Sequence, residues 1–321
     1  MSSGKRQHFM PAALIGQFTF ENIHSSTPFR NKKIYVRLRK QTDPFERTPS
    51  EILKMKNFYT LTSESTGLKK NAIDAIWDSI EPYIPTMINR LSRSYAKDQL
   101  PMDVFLYFVE FCTQLIVRNP KFNENYNERI NTIFDYESLE KEELISVKDN
   151  TNISRVMEMQ RLRPLLMYAD LAIFKSSAHN VFINNDNGYI IGMDEGLLER
   201  VTLTFPLTPD LVLTFYINRN PAAYNISLLR TPKKFKHQRL FSDSVDSFNK
   251  SIYFHSNNLI FSSKKTLLLD DFPKNHDYPG TYGFWYYYDQ QELKKISVKH
   301  ELDYNKIGGK TLFFRNISDP L

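Results

Sequence analysis

His8, Arg118, Asp186 and Asn249 are the side chains of this 321-residue chain whose types and settings could do chemistry. His8 stands in Gln7-His8-Phe9-Met10-Pro11, beside an amide and just before a rigid proline. Its imidazole titrates near neutrality, so it could be a general acid or base, or a metal ligand. A buried histidine bonding a backbone carbonyl accounts for the same residues. Asp186 is the lone carboxylate of Phe182-Ile183-Asn184-Asn185-Asp186-Asn187-Gly188. It could hold a divalent ion such as Mg²⁺ or Mn²⁺, orient His8, or take a proton from water. As readily, it could cap its own turn, as Asn-Asp-Asn-Gly does. Arg118, before Asn119-Pro120, carries a fork that fits phosphate or carboxylate; it could instead neutralise a helix C-terminus. Asn249 lies among apolar neighbours and needs partners there, whether as a site residue or as a hydrogen-bond hub.

The elements that must position these groups follow from periodicity. Ile34 to Leu38 alternates apolar and polar residues, which predicts a half-buried strand with Tyr35 and Arg37 on its outer face. Apolar residues at helical spacing run from Ile73 to Leu91, interrupted by Pro82 and Pro85, so a kink or two shorter helices are expected. Val104 to Val117 is apolar nearly all round and predicts a buried helix. Further helices are expected over 122–136 and 153–169, with a polar, weakly helical or exposed connection between them. From Leu171 the period changes to two. Strands are expected at 171–174, 181–184, 188–192, 200–205, 211–217 and 224–229, then a helix over 242–258, then closing strands at 281–288 and 310–314. The class is α+β in a single domain, residues 1–321: a central helical block packed on a mainly antiparallel sheet, with a C-terminal helix and strands. The 34–38 strand is expected to join that sheet or its edge.

Composition sets the bounds. With 41% hydrophobic and 24% charged residues, the chain is an ordinary globular protein. Lys5 and Arg6 are followed by no apolar core of a secretory signal, and the longest apolar run is broken by Glu110 and Gln114. Cys112 is the single cysteine and has no partner in the chain. A soluble cytoplasmic protein with no membrane segment is the expectation. Net charge is +6 and unevenly spread. Residues 1–60 hold eleven Lys or Arg against four acids, and Arg230 to Arg239 holds five Lys or Arg and no acid. Such asymmetry marks either a solvated basic surface or a face for an anion, with nucleic acid the commonest. Arg37, Arg39, Lys40, Lys233, Lys234, Lys236 and Arg239 are the candidate phosphate contacts, and the 230–239 segment is expected to be an exposed loop. No Gly-rich phosphate loop, Cys–His zinc spacing or Gly-x-Ser-x-Gly elbow is present. Asp194-Glu195 and Asp270-Asp271 read as solvated acidic pairs.

Several spaced motifs resemble those of one bacterial family, domain of unknown function 4238. They are Gln7-His8-Phe9-Met10-Pro11, Ile34-Tyr35-Val36, Asn57-Phe58-Tyr59 and Gln114 to Pro120. Phe182 to Gly188, Phe205 to Pro209 and the Asn249 helix (Val245 to Phe261) continue the series. The resemblance spans roughly residues 5 to 265. Asn185 stands where the family usually has Ser and Gly188 where it has Pro, while Asp186 is retained. If these motifs form a site, His8, Arg118, Asp186 and Asn249 meet at one pocket, and Gln7 and Gln114 support them by hydrogen bonds. Two functions remain open. One is a nuclease-like hydrolase of a defence or toxin type, with His8 as acid/base and Asp186 holding a metal or water. The other is a non-catalytic module that binds nucleic acid or protein.

Overall fold

The computed structural model describes residues 6–62, 68–97, 99–124, 141–177, 179–193, 200–218 and 233–269. The expected strands at 224–229, 281–288 and 310–314, the acidic pairs and most of the 122–136 helix lie outside them.

Proline punctuates the helical block. Helix α1 (Ala12–Ile15) follows Pro11. Helix α2 (Ala72–Asp78) gives way to a 3₁₀ turn containing Pro82, and α3 (Ile84–Ser94) opens with Pro85 in its first turn, so the expected long helix is two. Helix α4 (Met102–Arg118) begins after Pro101 and stops at Asn119, whose ψ of 140° is the extended conformation forced on a residue before proline. All its side chains from Val104 to Arg118 are buried. Helix α5 (Lys141–Tyr168) takes in most of the polar stretch expected as a connection. Buried Glu110 of α4 receives both Arg163 Nε (2.5 Å) and Nη2 (2.8 Å) from α5, which fixes the register of the two helices.

Two sheets, not one, cover this block. Strands β1 (Arg6–His8) and β4 (Lys54–Lys56) form a short antiparallel ribbon, and β5 (Gln99–Leu100) pairs with β11 (Lys233–Lys234). The larger sheet has the order β12-β6-β10-β9-β8, from Lys236–Leu240, Asp170–Ser176, Leu211–Asn218, Arg200–Thr208 and Ile190–Met193. Only β12 is parallel to its neighbour. The 34–38 strand, β2 (Ile34–Leu38), does not join it. It lies in a separate antiparallel sheet of order β3-β2-β13-β7, with Phe45–Arg47, Leu259–Ser262 and Asn184–Asn185. The cause is β13, in a stretch read as the end of a helix: α6 (Ser242–His255) stops early and the chain returns as a strand beside β2. One hydrophobic cluster joins α1–α5 to β6, β9 and β10, so helical block and larger sheet share a core. A second, with Ile183, Ile190, Ile252 and Ile260, ties α6 to the smaller sheet. Among the described residues no helix is long and apolar enough to cross a membrane.

Two surface expectations are corrected. Arg37 is 5% exposed and donates to the carbonyls of Gln41 (3.1 Å) and Leu268 (2.8 Å), so it is not on an outer face. Residues 233–240 form strands instead of a loop, with Phe235 buried between them.

Candidate functional site

The segment from Phe182 to Gly188 holds the two halves of the fold together through its amides. The expected strand at 181–184 is replaced by a side-chain mimic of one. Asn249 Oδ1 accepts the Ile183 N–H (3.0 Å) while its Nδ2 donates to the Val181 carbonyl (2.9 Å). Asn184 then donates to the Pro206 carbonyl (3.0 Å) and Asn185 to that of Ile252 (3.1 Å). Asn185 Oδ1 also accepts the N–H groups of Asn187 (3.1 Å) and Gly188 (3.0 Å), closing a turn in which Gly188 has φ +77°. Asn187 receives Nδ2 of Asn119 (2.6 Å) and of Asn257 (2.7 Å), and itself donates to the His255 carbonyl. Four separate parts of the chain are thereby fixed around Asp186.

Asp186 does not cap its own turn; Asn185 does. The Asp186 carboxylate instead accepts the N–H groups of Asn257 (2.9 Å) and Asn258 (2.8 Å), one on each oxygen. It lines a pocket of about 320 Å³ with Phe9, Arg39, Asn119, Lys121, His255 and the 256–258 turn. Arg39 is placed by the end of β2, where its N–H bonds the Asn258 carbonyl (2.7 Å), and its guanidinium donates to Ser256 (3.3 Å). Its charge interacts with Asp186. Lys121 is ion-paired to Glu124 on the pocket wall. Burial pushes the Asp186 carboxyl up to about 6, against the backbone of Asn257, Asn258, Leu259 and Asp186 itself, which pulls it down.

That shift has a consequence for stability. The folded state holds the Asp186 proton more tightly than the unfolded chain does. Its contribution is therefore fully present below about pH 4 and lost as pH rises through about 6, a change of roughly 3 kcal/mol. Urea unfolding of wild type and Asp186→Asn at pH 4, 5 and 6.5 is expected to show a fall of this size in wild type beyond that of the variant. Parallel pH profiles would mean that Asp186 ionises normally.

His8, Arg118 and Asn249 do not line the pocket; the residues next to His8 and Arg118 do. Arg118 is 2% exposed, donates to the His8 carbonyl (2.6 Å), pairs with Glu81 (2.7 Å) and lies against Trp77 and Tyr59. Tyr59 in turn donates to the Arg118 carbonyl (2.9 Å), satisfying the end of α4. The adjoining Phe9 and Asn119 reach the pocket. Burial, with Lys54 and Arg118 nearby, lowers the His8 imidazole to about 4, so it is neutral at physiological pH; it bonds the Ile52 carbonyl. Gln7 accepts the Tyr59 N–H (2.7 Å), and Gln114 donates to Glu110 (3.1 Å). Thus the motifs of His8, Arg118 and Asp186 adjoin, while the pocket side chains are largely others. Asn119, Lys121, His255 and Asn257 were not singled out from the sequence, although Asn119, His255 and Asn257 stood inside quoted motifs. Of the basic candidates, Lys40, Lys234, Lys236 and Arg239 are exposed. Lys233 is half-buried, with Nζ 5.1 Å from the Phe105 ring centre. Among the described residues no group of three or more His, Cys, Asp or Glu side chains could hold a metal ion.

A sequence family described as "Protein of unknown function (DUF4238)" matches residues 6–266. No curated protein matches the chain. No solved structure matches it either.

Proposed function

Because this chain belongs to the DUF4238 family, a group described only as of unknown function, we propose from the site itself that it is a nuclease-like hydrolase working at the Asp186 pocket. The observation that carries this reading is a buried carboxylate, raised to about 6, opening beside Arg39 and Lys121. A base that titrates close to the working pH and a pair of cations are what phosphodiester hydrolysis asks of a protein. Ionised Asp186 takes a proton from water, and the water oxygen bonds to phosphorus. The bond from phosphorus to the leaving sugar oxygen breaks, and that oxygen takes the proton back from Asp186. Arg39 and Lys121 balance the charge on the phosphoryl oxygens. A cytoplasmic location goes with the reading, since Cys112 is a free buried thiol.

The test is incubation of the protein with DNA and RNA, with and without Mg²⁺ or Mn²⁺, comparing Asp186→Asn and His8→Ala. Asp186→Asn is expected to lower cleavage at least about a hundredfold, as loss of a general base does, while His8→Ala retains it. Loss in a folded His8→Ala variant alone would move the acid/base role to His8. A non-catalytic binding module is the second reading, favoured by one specific feature: both Asp186 oxygens, Asn249 and Gln7 already bond the backbone. Binding without cleavage under every condition would establish it.

A further inference from the structure

The outer edge of the larger sheet carries a different kind of surface. Strand β12 is last in the strand order, and Lys236, His237, Gln238 and Arg239 are all exposed, on both faces of the strand. Exposed Lys234 precedes them, and no acid occurs between Lys233 and Leu240. The strand runs into Phe241, which is 71% exposed, the highest value among the large apolar side chains of the described residues left in solvent. Alongside, Tyr95 meets the His237 ring edge-on at 5.1 Å and has Lys175 Nζ 4.9 Å from its centre. An isolated exposed phenylalanine is unremarkable. Here it extends a strand that carries cations and no carboxylate of its own, with Asp243 two residues beyond, and such a strand lets a polyanion be held by charge while its bases stack.

We infer that the β12 edge, from Lys234 to Phe241, is a docking surface for single-stranded nucleic acid, with phosphates on Lys234, Lys236 and Arg239 and an unpaired base on Phe241. Single strands are favoured over duplex because only an unstacked base presents a free face to the ring. An acidic peptide added to the sheet edge would use the backbone of β12 and has no need of Phe241. The inference rests on the nucleic-acid reading of the Asp186 pocket for the class of polyanion only; the two surfaces share no residue.

The experiment is a fluorescence-anisotropy salt titration of the full chain, in EDTA, with a labelled mixed-sequence 20-nucleotide strand and its duplex. Wild type is expected to bind the single strand more tightly. The triple variant Lys234→Ser, Lys236→Ser, Arg239→Ser lowers the slope of log affinity against log salt by about 0.7 per lost contact, about 2 in all. Phe241→Ser weakens binding about tenfold without changing that slope. Because all four side chains are exposed, the variants stay folded, which thermal unfolding checks. Binding unchanged in both variants, a preference for duplex, or equal displacement by polyglutamate overturns the inference, the last in favour of an acidic protein partner. Variant-sensitive binding with no cleavage sinks the hydrolase and leaves the docking surface standing. Cleavage by a protein whose binding ignores these variants does the reverse.

Discussion

Arg155→Met is expected to lower the stability of this protein by about 3 kcal/mol, because it strips the buried Val117 carbonyl of its donor and Asn119 and Asn123 of one bond each. Arg155 is fully buried in α5, and its guanidinium bonds the carbonyls of Val117 and Asn119 and the side chain of Asn123. The Val117 and Asn119 carbonyls belong to the end of α4, where the helix leaves acceptors without intrahelical partners. The ring centres of Phe58 and Phe122 each lie 4.8 Å from Cζ, and Tyr59 lies 5.7 Å away. Among the described residues no carboxylate pairs with Arg155. Removing an unpaired buried charge relieves a desolvation cost, which works against the loss. The orphaned Val117 carbonyl costs about 1–3 kcal/mol and the ring contacts about 1–2 more, while the Asn119 carbonyl keeps the Phe122 N–H (3.0 Å), so destabilisation wins. Arg155→Lys is expected to lose about 2–3 kcal/mol, since one ammonium cannot span three acceptors. Urea midpoints of the three proteins decide it. A loss under about 1 kcal/mol in the methionine variant would show that these carbonyls find other partners.

The second large effect is expected at Gly188. Gly188→Pro is expected to cost about 4 kcal/mol or to prevent folding. Proline fixes φ near −65°, whereas Gly188 sits at +77°. It also removes the N–H that bonds the Asn185 carbonyl (3.1 Å) and Oδ1 (3.0 Å). Gly188→Asn keeps the N–H and tolerates positive φ. Its Cβ meets the end of the buried Met10 side chain at 2.8 Å and Leu115 at 3.7 Å, so a loss of about 1–2 kcal/mol is expected. Thermal unfolding of both variants tests the pair. A proline variant as stable as wild type would mean that this turn has an alternative conformation. Asn185 and Gly188 thus act together: the amide closes a turn that only a residue able to take positive φ can complete.

Much of the scaffold was legible in the sequence because it depends on neighbours in the chain. Pro82 and Pro85 divided the first long helix, Asn119-Pro120 ended α4, and period-two segments became β6, β9 and β10. Where strand expectations failed, a distant partner was responsible. Asn249 took the place of a strand beside 181–183, and β13 drew β2 into a second sheet. Local pattern holds no record of such a partner, so sheet membership was decided only when the chain closed. The same division governs the site. Spacing brought the motifs of His8, Arg118 and Asp186 to one region, but which side chain faces the pocket was set by burial. Arg118 and His8 turned inward, Arg118 to Glu81 and His8 to the Ile52 backbone, so neither side chain faces the pocket. Arg39, read from the sequence as a phosphate contact of a basic segment and not as a partner of Asp186, took the place beside it because β2 ends there. Residue type and order determined which groups were available for chemistry; solvent exclusion and long-range pairing determined which of them the pocket presents.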